Sequence, residues 1–345
     1  MILSYSFWTQ SYSILASEDW KRNPILHNPQ PAWTPSLNFE SIEKRLHDEN
    51  IVLLIPMRDY LEYLGKKADF ENKVYLAVLE SGLKAVFKPD LEAHDMYAEV
   101  AAYKASQWMK SRLVPPTVIK QFKKQKGSLQ FFVETPLDTV TLEDQTILLN
   151  SLNDLSRQEI EVFCFLFGQW DRSPSNILFV PYKASYLAAL IDNSGLLQQQ
   201  HVILGKSPFI RKAYCDYRHD TWDNRFPFEK AQKISLNDID HHPDFKSCGL
   251  TSQKFSFLKG SKKPLIYIFW RNSLWFQPYA ETPFLLKNLS PSLLAKIKKL
   301  DEKTLKAIWK MSPKEWTPRQ RDEIIRLTLD RKNQLLNSLN TESSQ

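Results

Sequence analysis

The alternation of apolar and polar positions across residues 51–135 predicts a small sheet whose strands are joined by short turns. Glu80-Ser81-Gly82 is one turn signal, and the charged segment Lys123–Gly127 is another. Asp95 has the position of an N-cap for a helix over Met96–Lys110. The predicted strands are Val74–Leu79, Leu83–Phe87, Thr117–Phe122 and Leu129–Val133.

From residue 136 onward the pattern favours helices. Ser156 and Glu159 form a capping box directly before the apolar run Ile160–Phe167, which predicts a helix central to its lobe. Ser290 and Thr317 are each followed by proline, and this pairing predicts two further helix starts.

Two other segments complete the predicted order of elements. Residues 1–40 are rich in Ser, Pro and Asn and predict an irregular segment, and a short helix is predicted from Ser41. Residues 176–180 and 186–191 predict a second hairpin. We therefore predict an α+β chain with a β-rich N-terminal lobe carrying one helix, and a larger, mainly helical lobe. The predicted boundaries are an extension over 1–50, the small lobe over 51–135 and the large lobe over 136–345, which includes an aromatic and basic insertion over 201–288 and C-terminal helices over 289–345.

Composition narrows the class of protein. Hydrophobic residues make up 43% and charged residues 25% of the chain, a balance that excludes a mostly disordered or collagen-like protein. Only 8 residues are glycine, which disfavours a dinucleotide-binding protein built on glycine-rich turns. No apolar run is long enough for a spanning helix. Cys164, Cys215 and Cys248 are far apart, so no disulfide framework is expected.

The net charge of +7 is unevenly distributed. Residues 201–316 carry 21 basic and 11 acidic side chains, whereas residues 1–200 carry 20 and 24. A basic block of this kind indicates an anionic partner, such as an anionic membrane surface, an inositol phosphate or an acidic protein. The alternative is a solvated surface with no partner. Nucleic acid is disfavoured because no recognition module is present.

Five residues stand where local structure is predicted to change: Lys88, Glu99, Asp171, Asn176 and Asp192. Antiparallel pairing brings the start of one strand beside the end of the next, so Asn176 and Asp192 are expected at one open end of the second hairpin, with Asp171 in the loop before it. Carboxylate and amide oxygens suit Mg²⁺ or Mn²⁺. A lysine paired with a helix glutamate can hold nucleotide phosphates, and together these are the parts of a phosphoryl-transfer site.

In order and spacing, three segments resemble the atypical branch of the protein-kinase superfamily that includes the secretory-pathway (Golgi casein) kinases and their bacterial relatives. HipA-type and phosphatidylinositol kinases are more distant cousins. The resemblance spans roughly residues 70–195 and implies a bilobal, protein-kinase-like fold. The segments are Ser81–Pro89, Ala98–Tyr103 with Leu113–Val118, and Asp171–Asn176 with Ile191–Asn193 and Gly195.

The resemblance also implies roles by position. Lys88 would hold the α- and β-phosphates of ATP and pair with Glu99. Asp171 would be the catalytic carboxylate, and Asn176 and Asp192 would bind Mg²⁺ or Mn²⁺.

The implied adenine-binding hinge is Phe131–Pro136, with Phe132 and Glu134 as nucleotide-binding residues. The chain departs from the family at two points. Ser173 stands where this branch usually has histidine, and Gly65 is the only glycine in residues 60–74, so no glycine-rich phosphate loop is visible.

The favoured function is an ATP-dependent kinase acting on protein Ser/Thr hydroxyls, regulated by an anionic ligand such as an inositol phosphate. A lipid or inositol kinase is the alternative within the enzymes. The alternative of another class is a non-catalytic scaffold that binds phosphoinositide or a protein. Asp171→Ala and Asp192→Ala should abolish the function of either kind of kinase and should leave the function of a scaffold intact. The lack of a secretory signal and the few cysteines favour a cytoplasmic protein, bacterial or delivered into a host cell.

Three further features are interpreted as structural. The adjacent His241 and His242 are interpreted as part of a polar loop, because neighbouring histidines rarely chelate one ion. Cys164 lies inside the apolar helix and is interpreted as a core residue. The helix after Ser290 has an apolar face beside several lysines, so it either packs into the large lobe or lies on an anionic membrane.

The basic block over residues 201–316 predicts polyanion binding. Calorimetry with an inositol phosphate or with phosphoinositide vesicles should show binding that weakens as salt is raised, because screening acts on exposed charges. Heat signals that are absent, or that do not change with salt, would contradict the prediction.

Overall fold

The computed structural model describes residues 18–66, 73–89, 93–135, 148, 151–167, 169, 176–194, 196, 234–235, 264–265, 289–310 and 318–342. The chain divides into two compact units. The sheet unit contains the described residues of 18–32, 37–89 and 116–132. The helical unit contains 33–36, 93–115 and the described residues from 133 onward. An antiparallel sheet followed by a mainly helical region confirms the predicted α+β class.

The sheet unit is built on five antiparallel strands in the order β1-β2-β3-β5-β4. The strands are β1 Ile51–Pro56, β2 Tyr75–Leu79, β3 Lys84–Pro89, β4 Thr117–Phe122 and β5 Gln125–Phe131. The predicted hairpin between β2 and β3 is present, and Gly82 at its turn has a φ of +83°. A side chain there would be strained by this φ and would collide with Asn28, so the turn requires glycine.

Residues that precede the first strand belong to the hydrophobic core of the sheet unit. Residues 18–38 form only two 3-10 turns, Glu18–Arg22 and Pro24–His27, yet Trp20 and Leu26 are buried. Trp20 packs edge-on against Tyr63 and tilted against Tyr60. Residues 18–32 of the irregular N-terminal segment are therefore part of the sheet unit. Two helices flank the sheet: α1, Phe39–Asp48, packs on β4 and β5, and α2, Met57–Tyr63, packs on β1 and β2.

The helical unit has its core around α3 (Ala93–Met109) and α4 (Asp154–Leu166), together with the hairpin formed by β6 (Ile177–Tyr182) and β7 (Ser185–Leu190). Phe163 and Phe167 pack together, and Trp108 of α3 meets Phe167 edge-on with ring centroids 6.5 Å apart. Cys164 is buried in α4, as predicted. The remaining elements are the paired strands β8 (Ile234–Ser235) and β9 (Pro264–Leu265), then α5 (Pro291–Lys299), α6 (Glu302–Ile308) and α7 (Pro318–Glu342).

The C-terminal helices pack within this unit. The apolar side chains Leu293 and Ile297 of α5 are buried, as the packing interpretation predicted. Lys296 on the same helix donates to the carbonyl oxygen of Met109 at 2.5 Å and so holds the end of α3. Ile324 and Ile325 of α7 are buried as well. Among the helices that the structure describes, none combines the length and hydropathy needed to cross a bilayer.

The starts predicted after Ser290 and Thr317 are confirmed, because these helices begin at Pro291 and Pro318. Three other predicted starts are wrong by two or three residues, and in two of these helices an asparagine side chain caps the helix earlier. Asn38 accepts from the backbone of Ser41 at 2.9 Å, so α1 begins at Phe39 instead of Ser41. Asn153 accepts from the backbone of Ser156 at 2.9 Å, so α4 begins at Asp154 and Ser156 lies inside its first turn. Likewise α3 begins at Ala93 instead of Met96.

Two other predictions, at β5 and at α2, need correction. β5 begins at Gln125 instead of Leu129, because the turn before it is only Lys123 and Lys124. The helix from Ser290 ends at Lys299, and Asp301 caps a separate helix by accepting from the backbone of Thr304 at 2.8 Å. Finally, α2 was not predicted, so residues 51–135 hold two helices where the pattern predicted one. The loop with His241 and His242 and most of the basic block lie outside the described residues.

Glu159 on α4 makes stability sensitive to pH. It is 9% exposed, and burial raises its pKa from 4.5 to about 7, against the opposing effect of Lys296. The stabilisation from the neutral carboxyl is fully present below pH 4.5 and is lost as the pH rises through about 7. Glu159→Gln cannot ionise, so its free energy of unfolding should fall less between about pH 5 and pH 8, by on the order of 2 kcal/mol.

Denaturant unfolding of the wild type and of Glu159→Gln at a series of pH values measures this difference. Glu62→Gln is the matched control, because Glu62 is exposed on α2. The control should follow the wild-type curve. If the free energy of unfolding changes with pH in the same way in the wild type and in Glu159→Gln, the buried carboxyl does not titrate in this range.

Candidate functional site

Lys88, the predicted phosphate-binding residue, lies on the third strand of the sheet unit. It occupies the penultimate position of β3 and pairs in register with Ser128 of β5. Its side chain is half-buried, between the buried neighbours Phe87 and Pro89. Strands on both sides of β3 fix its backbone, so the lysine is carried on a rigid position of the sheet.

Phe132, a predicted nucleotide-binding residue, is held in the sheet unit by both its backbone and its ring. Its backbone N–H donates to the carbonyl oxygen of Lys84 at 3.1 Å. Its carbonyl oxygen accepts from the side chain of Gln30 at 2.8 Å. Its ring meets Tyr60 edge-on, with centroids 5.9 Å apart. Gln30 is a residue that the sequence reasoning missed.

Glu134 and the residue after it belong to the helical unit. Glu134 is exposed, which leaves its side chain at the surface. Thr135 donates its hydroxyl to the carbonyl oxygen of Phe179 at 2.6 Å and thereby ties the segment to β6.

Glu99 is a deeply buried polar residue of the helical unit. It lies near the middle of α3 and is 1% exposed, although carboxylates are rarely so deeply buried without partners. Its Oε2 atom accepts a hydrogen bond from the backbone N–H of Asn193 at 3.1 Å. The contact joins residues 94 positions apart and brings α3 to the segment that follows β7.

The β6–β7 hairpin places Asn176 and Asp192 at its open end. The backbone of Ile191 donates to the carbonyl oxygen of Asn176 at 3.0 Å, which holds the two chain segments together just outside the strands. Both Asn176 and Asp192 are half-buried. Asp192 has a φ of +51°, in the left-handed region that Asp tolerates better than most residues.

The backbone and the side chain of Asp192 both accept hydrogen bonds. Its carbonyl oxygen accepts from the side-chain amide of Gln169 at 3.1 Å, and its Oδ1 accepts from the hydroxyl of Ser194 at 3.3 Å. Gln169 is fully buried and forms an isolated antiparallel bridge with Leu196. One signal for Gln169 was available in the sequence: it is a polar residue that follows the apolar run Ile160–Phe167 after a single glycine.

Of the predicted site residues, the helical unit brings together Glu99, Asn176 and Asp192, with Gln169 as an unpredicted fourth. Asp171, the predicted catalytic carboxylate, and the neighbouring Ser173 lie outside the described residues. Lys88 and Phe132 belong to the sheet unit and are described there.

Asp192 and Asn176 would supply only part of the ligand shell of a divalent cation. In the described part of the chain, no three His, Cys, Asp or Glu side chains cluster as a protein-only metal site would require. Asp192 supplies one carboxylate, and Asn176 beside it can supply an amide oxygen. Mg²⁺ is commonly bound in this way, by one or two carboxylates with waters and substrate phosphates as the remaining ligands. The residues therefore suit a metal that arrives with a nucleotide.

Solved structures similar to this chain include a proinflammatory kinase, CtkA, from Helicobacter pylori, with 13% identity, a TM-score of 0.45, and coverage of 80% of this chain and 92% of that one. A Golgi casein kinase with Mn and ADP bound has 9% identity, a TM-score of 0.44, and coverage of 88% and 76%. HipA of Shewanella oneidensis, in a complex with HipB and operator DNA, has 10% identity and a TM-score of 0.30, with coverage of 91% and 74%.

No protein-family model matches the chain, and neither does any curated protein. Since the TM-scores of these three structures are all below 0.5, a functional assignment has to rest on the residues of this chain.

Proposed function

We propose that this protein is a kinase that transfers the γ-phosphoryl group of ATP to Ser or Thr hydroxyls of a protein. One observation carries the proposal: at one end of the β6–β7 hairpin, Glu99 accepts from the backbone N–H of Asn193, next to Asp192, and Ile191 donates to the carbonyl oxygen of Asn176. Glu99 lies on the helix that follows β3, the strand that carries Lys88 at its penultimate position. A lysine on the third strand, a glutamate on the next helix, and a later Asn and Asp are the parts by which protein kinases hold ATP and its metal ions.

Each residue has a defined task in this proposal. Lys88 would bind phosphate oxygens of ATP, and Asn176 and Asp192 would hold Mg²⁺ or Mn²⁺. When bound, the metal would neutralise charge on the β- and γ-phosphates. Asp171 would orient the acceptor hydroxyl and take its proton. The hydroxyl oxygen would form a bond to the γ-phosphorus as the bond from that phosphorus to the β–γ bridging oxygen breaks, and ADP would leave with that electron pair.

The substrate class and the regulator belong to the same proposal. Protein hydroxyls are favoured because protein phosphorylation is the commonest activity in the branch that the sequence resembles. The basic excess over residues 201–316 supports an anionic regulator, and equally supports a lipid or inositol phosphate as the phosphoryl acceptor.

Asp192→Asn and Lys88→Met should each lower ATP turnover by about 100-fold or more, because each removes a charge that would act on the transferring phosphoryl group. Purified protein is incubated with ATP and Mg²⁺ or Mn²⁺, with and without an inositol phosphate, and intact mass and ADP release are measured. Asp59→Asn and Lys44→Met are the matched controls, since both residues are exposed on helices of the sheet unit. The controls should retain wild-type turnover.

The products distinguish the alternatives. A phosphoryl adduct on the protein that depends on Asp192 supports a protein kinase. Conversion of the inositol phosphate without a protein adduct would favour a small-molecule kinase. An AMP adduct would keep nucleotide use but change the reaction. Neither turnover nor adduct, under any of these conditions, would contradict catalysis and favour a binding scaffold.

A further inference from the structure

The peptide group between Asp192 and Asn193 is held at both of its polar ends. Its C=O accepts from the side-chain amide of Gln169 at 3.1 Å. Its N–H donates to the carboxylate of Glu99, also at 3.1 Å. Gln169 has no exposed surface and Glu99 is 1% exposed, so neither side chain is free to swing into solvent.

Pinning a peptide group at both ends fixes its plane, and therefore ψ of the residue before it and φ of the residue after it. The flanking backbone is held as well. Ile191 donates to the carbonyl oxygen of Asn176 at 3.0 Å, and the side chain of Asn193 donates to the carbonyl oxygen of Leu190 at 3.1 Å. The backbone on both sides of Asp192 is thus determined by contacts from several elements.

Asp192 itself adopts a φ of +51°. A non-glycine residue in this region is disfavoured and persists only where its surroundings over-determine it. The direction in which its side chain leaves the backbone depends on this conformation. If the peptide plane rotated, the carboxylate would point elsewhere even though the aspartate was still present.

We propose that Glu99 and Gln169 are positioning residues that set the direction of the Asp192 carboxylate toward a divalent cation. This inference rests on the proposed function, in which Asp192 is a metal ligand. It assigns Glu99 a task within the helical unit in addition to the pairing with Lys88 that the resemblance implies. Gln169 receives a task that the resemblance does not include.

The two tasks of Glu99 depend on different properties of its side chain. Pairing with a lysine requires the negative charge, whereas accepting from the N–H of Asn193 requires only an oxygen. Glu99→Gln keeps an oxygen acceptor and loses the charge, and Glu99→Ala loses both. Gln169→Met keeps the approximate volume of the side chain and removes the amide that donates to Asp192.

The test measures binding of Mn²⁺ in the presence of ADP by the loss of the free-Mn²⁺ electron-paramagnetic-resonance signal, so it does not require turnover. Gln169→Met and Glu99→Ala should each bind Mn²⁺ about tenfold more weakly than wild type, the effect of one lost hydrogen bond on the ligand's placement. Glu99→Gln should stay within about threefold of wild type. Asp192→Ala removes the proposed metal ligand and provides the reference value for Mn²⁺ binding without it.

Gln107→Met is the matched control, because Gln107 lies on the same helix as Glu99 and donates to the hydroxyl of Tyr103. It should bind Mn²⁺ as wild type does. Hydrogen–deuterium exchange of a peptide covering residues 190–196 supplies a second readout. Exchange at the amide of Asn193 should be faster in Glu99→Ala than in Glu99→Gln.

Wild-type Mn²⁺ affinity in both Gln169→Met and Glu99→Ala would overturn the inference while leaving the proposed function intact. Equal loss of affinity in Glu99→Gln and Glu99→Ala would also overturn it, by showing that charge is what matters. If Gln169→Met does not fold, the comparison of the two Glu99 variants decides alone. If the wild type does not bind Mn²⁺, both the proposed function and this inference are contradicted.

Discussion

A carboxylate buried inside a helix has to find hydrogen-bond donors, since an isolated buried charge costs several kcal/mol or more. Glu99 meets this requirement by accepting from a backbone N–H 94 residues further along the chain. The donor cannot be supplied by the helix, whose own N–H groups are engaged in its backbone ladder. The contact holds the segment after β7 against α3 and so constrains the position of Asp192.

In the sheet unit, a side chain supplies the hydrogen-bond donor and acceptor for backbone groups at the start of β3. The first residue of β3, Lys84, donates its N–H to the side chain of Gln30 at 2.9 Å and accepts from the same side chain at 3.0 Å. An amide side chain carries the same donor and acceptor as a peptide group, so Gln30 can pair with backbone as a neighbouring residue would. The same amide reaches the carbonyl oxygen of Phe132 and ties the N-terminal segment to the end of β5.

The surroundings of Asp192 and of Glu159, both in the helical unit, differ in their electrostatics. Around Asp192, the side chains of Gln169 and Glu99 make defined hydrogen bonds to backbone groups. At Glu159 burial dominates and favours the neutral acid, even though Lys296 opposes this effect. The first arrangement preserves a fixed geometry, and the second makes the packing of α4 depend on proton concentration.

Local patterns were sufficient to predict the elements that local interactions stabilise. The β2–β3 and β6–β7 hairpins were predicted because their strands and turns are adjacent in sequence, and the open end of the second hairpin follows from antiparallel pairing. Helix starts were less predictable, because several residues near each start could serve as the cap. Asn38 and Asn153 prevailed over candidates two or three residues later.

Sequence alone therefore determined the α+β class, the β2–β3 and β6–β7 hairpins, and the candidates Lys88, Glu99, Asn176 and Asp192 along the chain. Only the tertiary structure decided that Glu99 and Gln169 bond to the two polar ends of one peptide group, the one between Asp192 and Asn193. Those contacts join residues 94 and 23 positions apart, and both side chains bond to backbone atoms, which every residue possesses. No residue type in the sequence marks such a partner, so the pairing emerges only when packing brings the segments together.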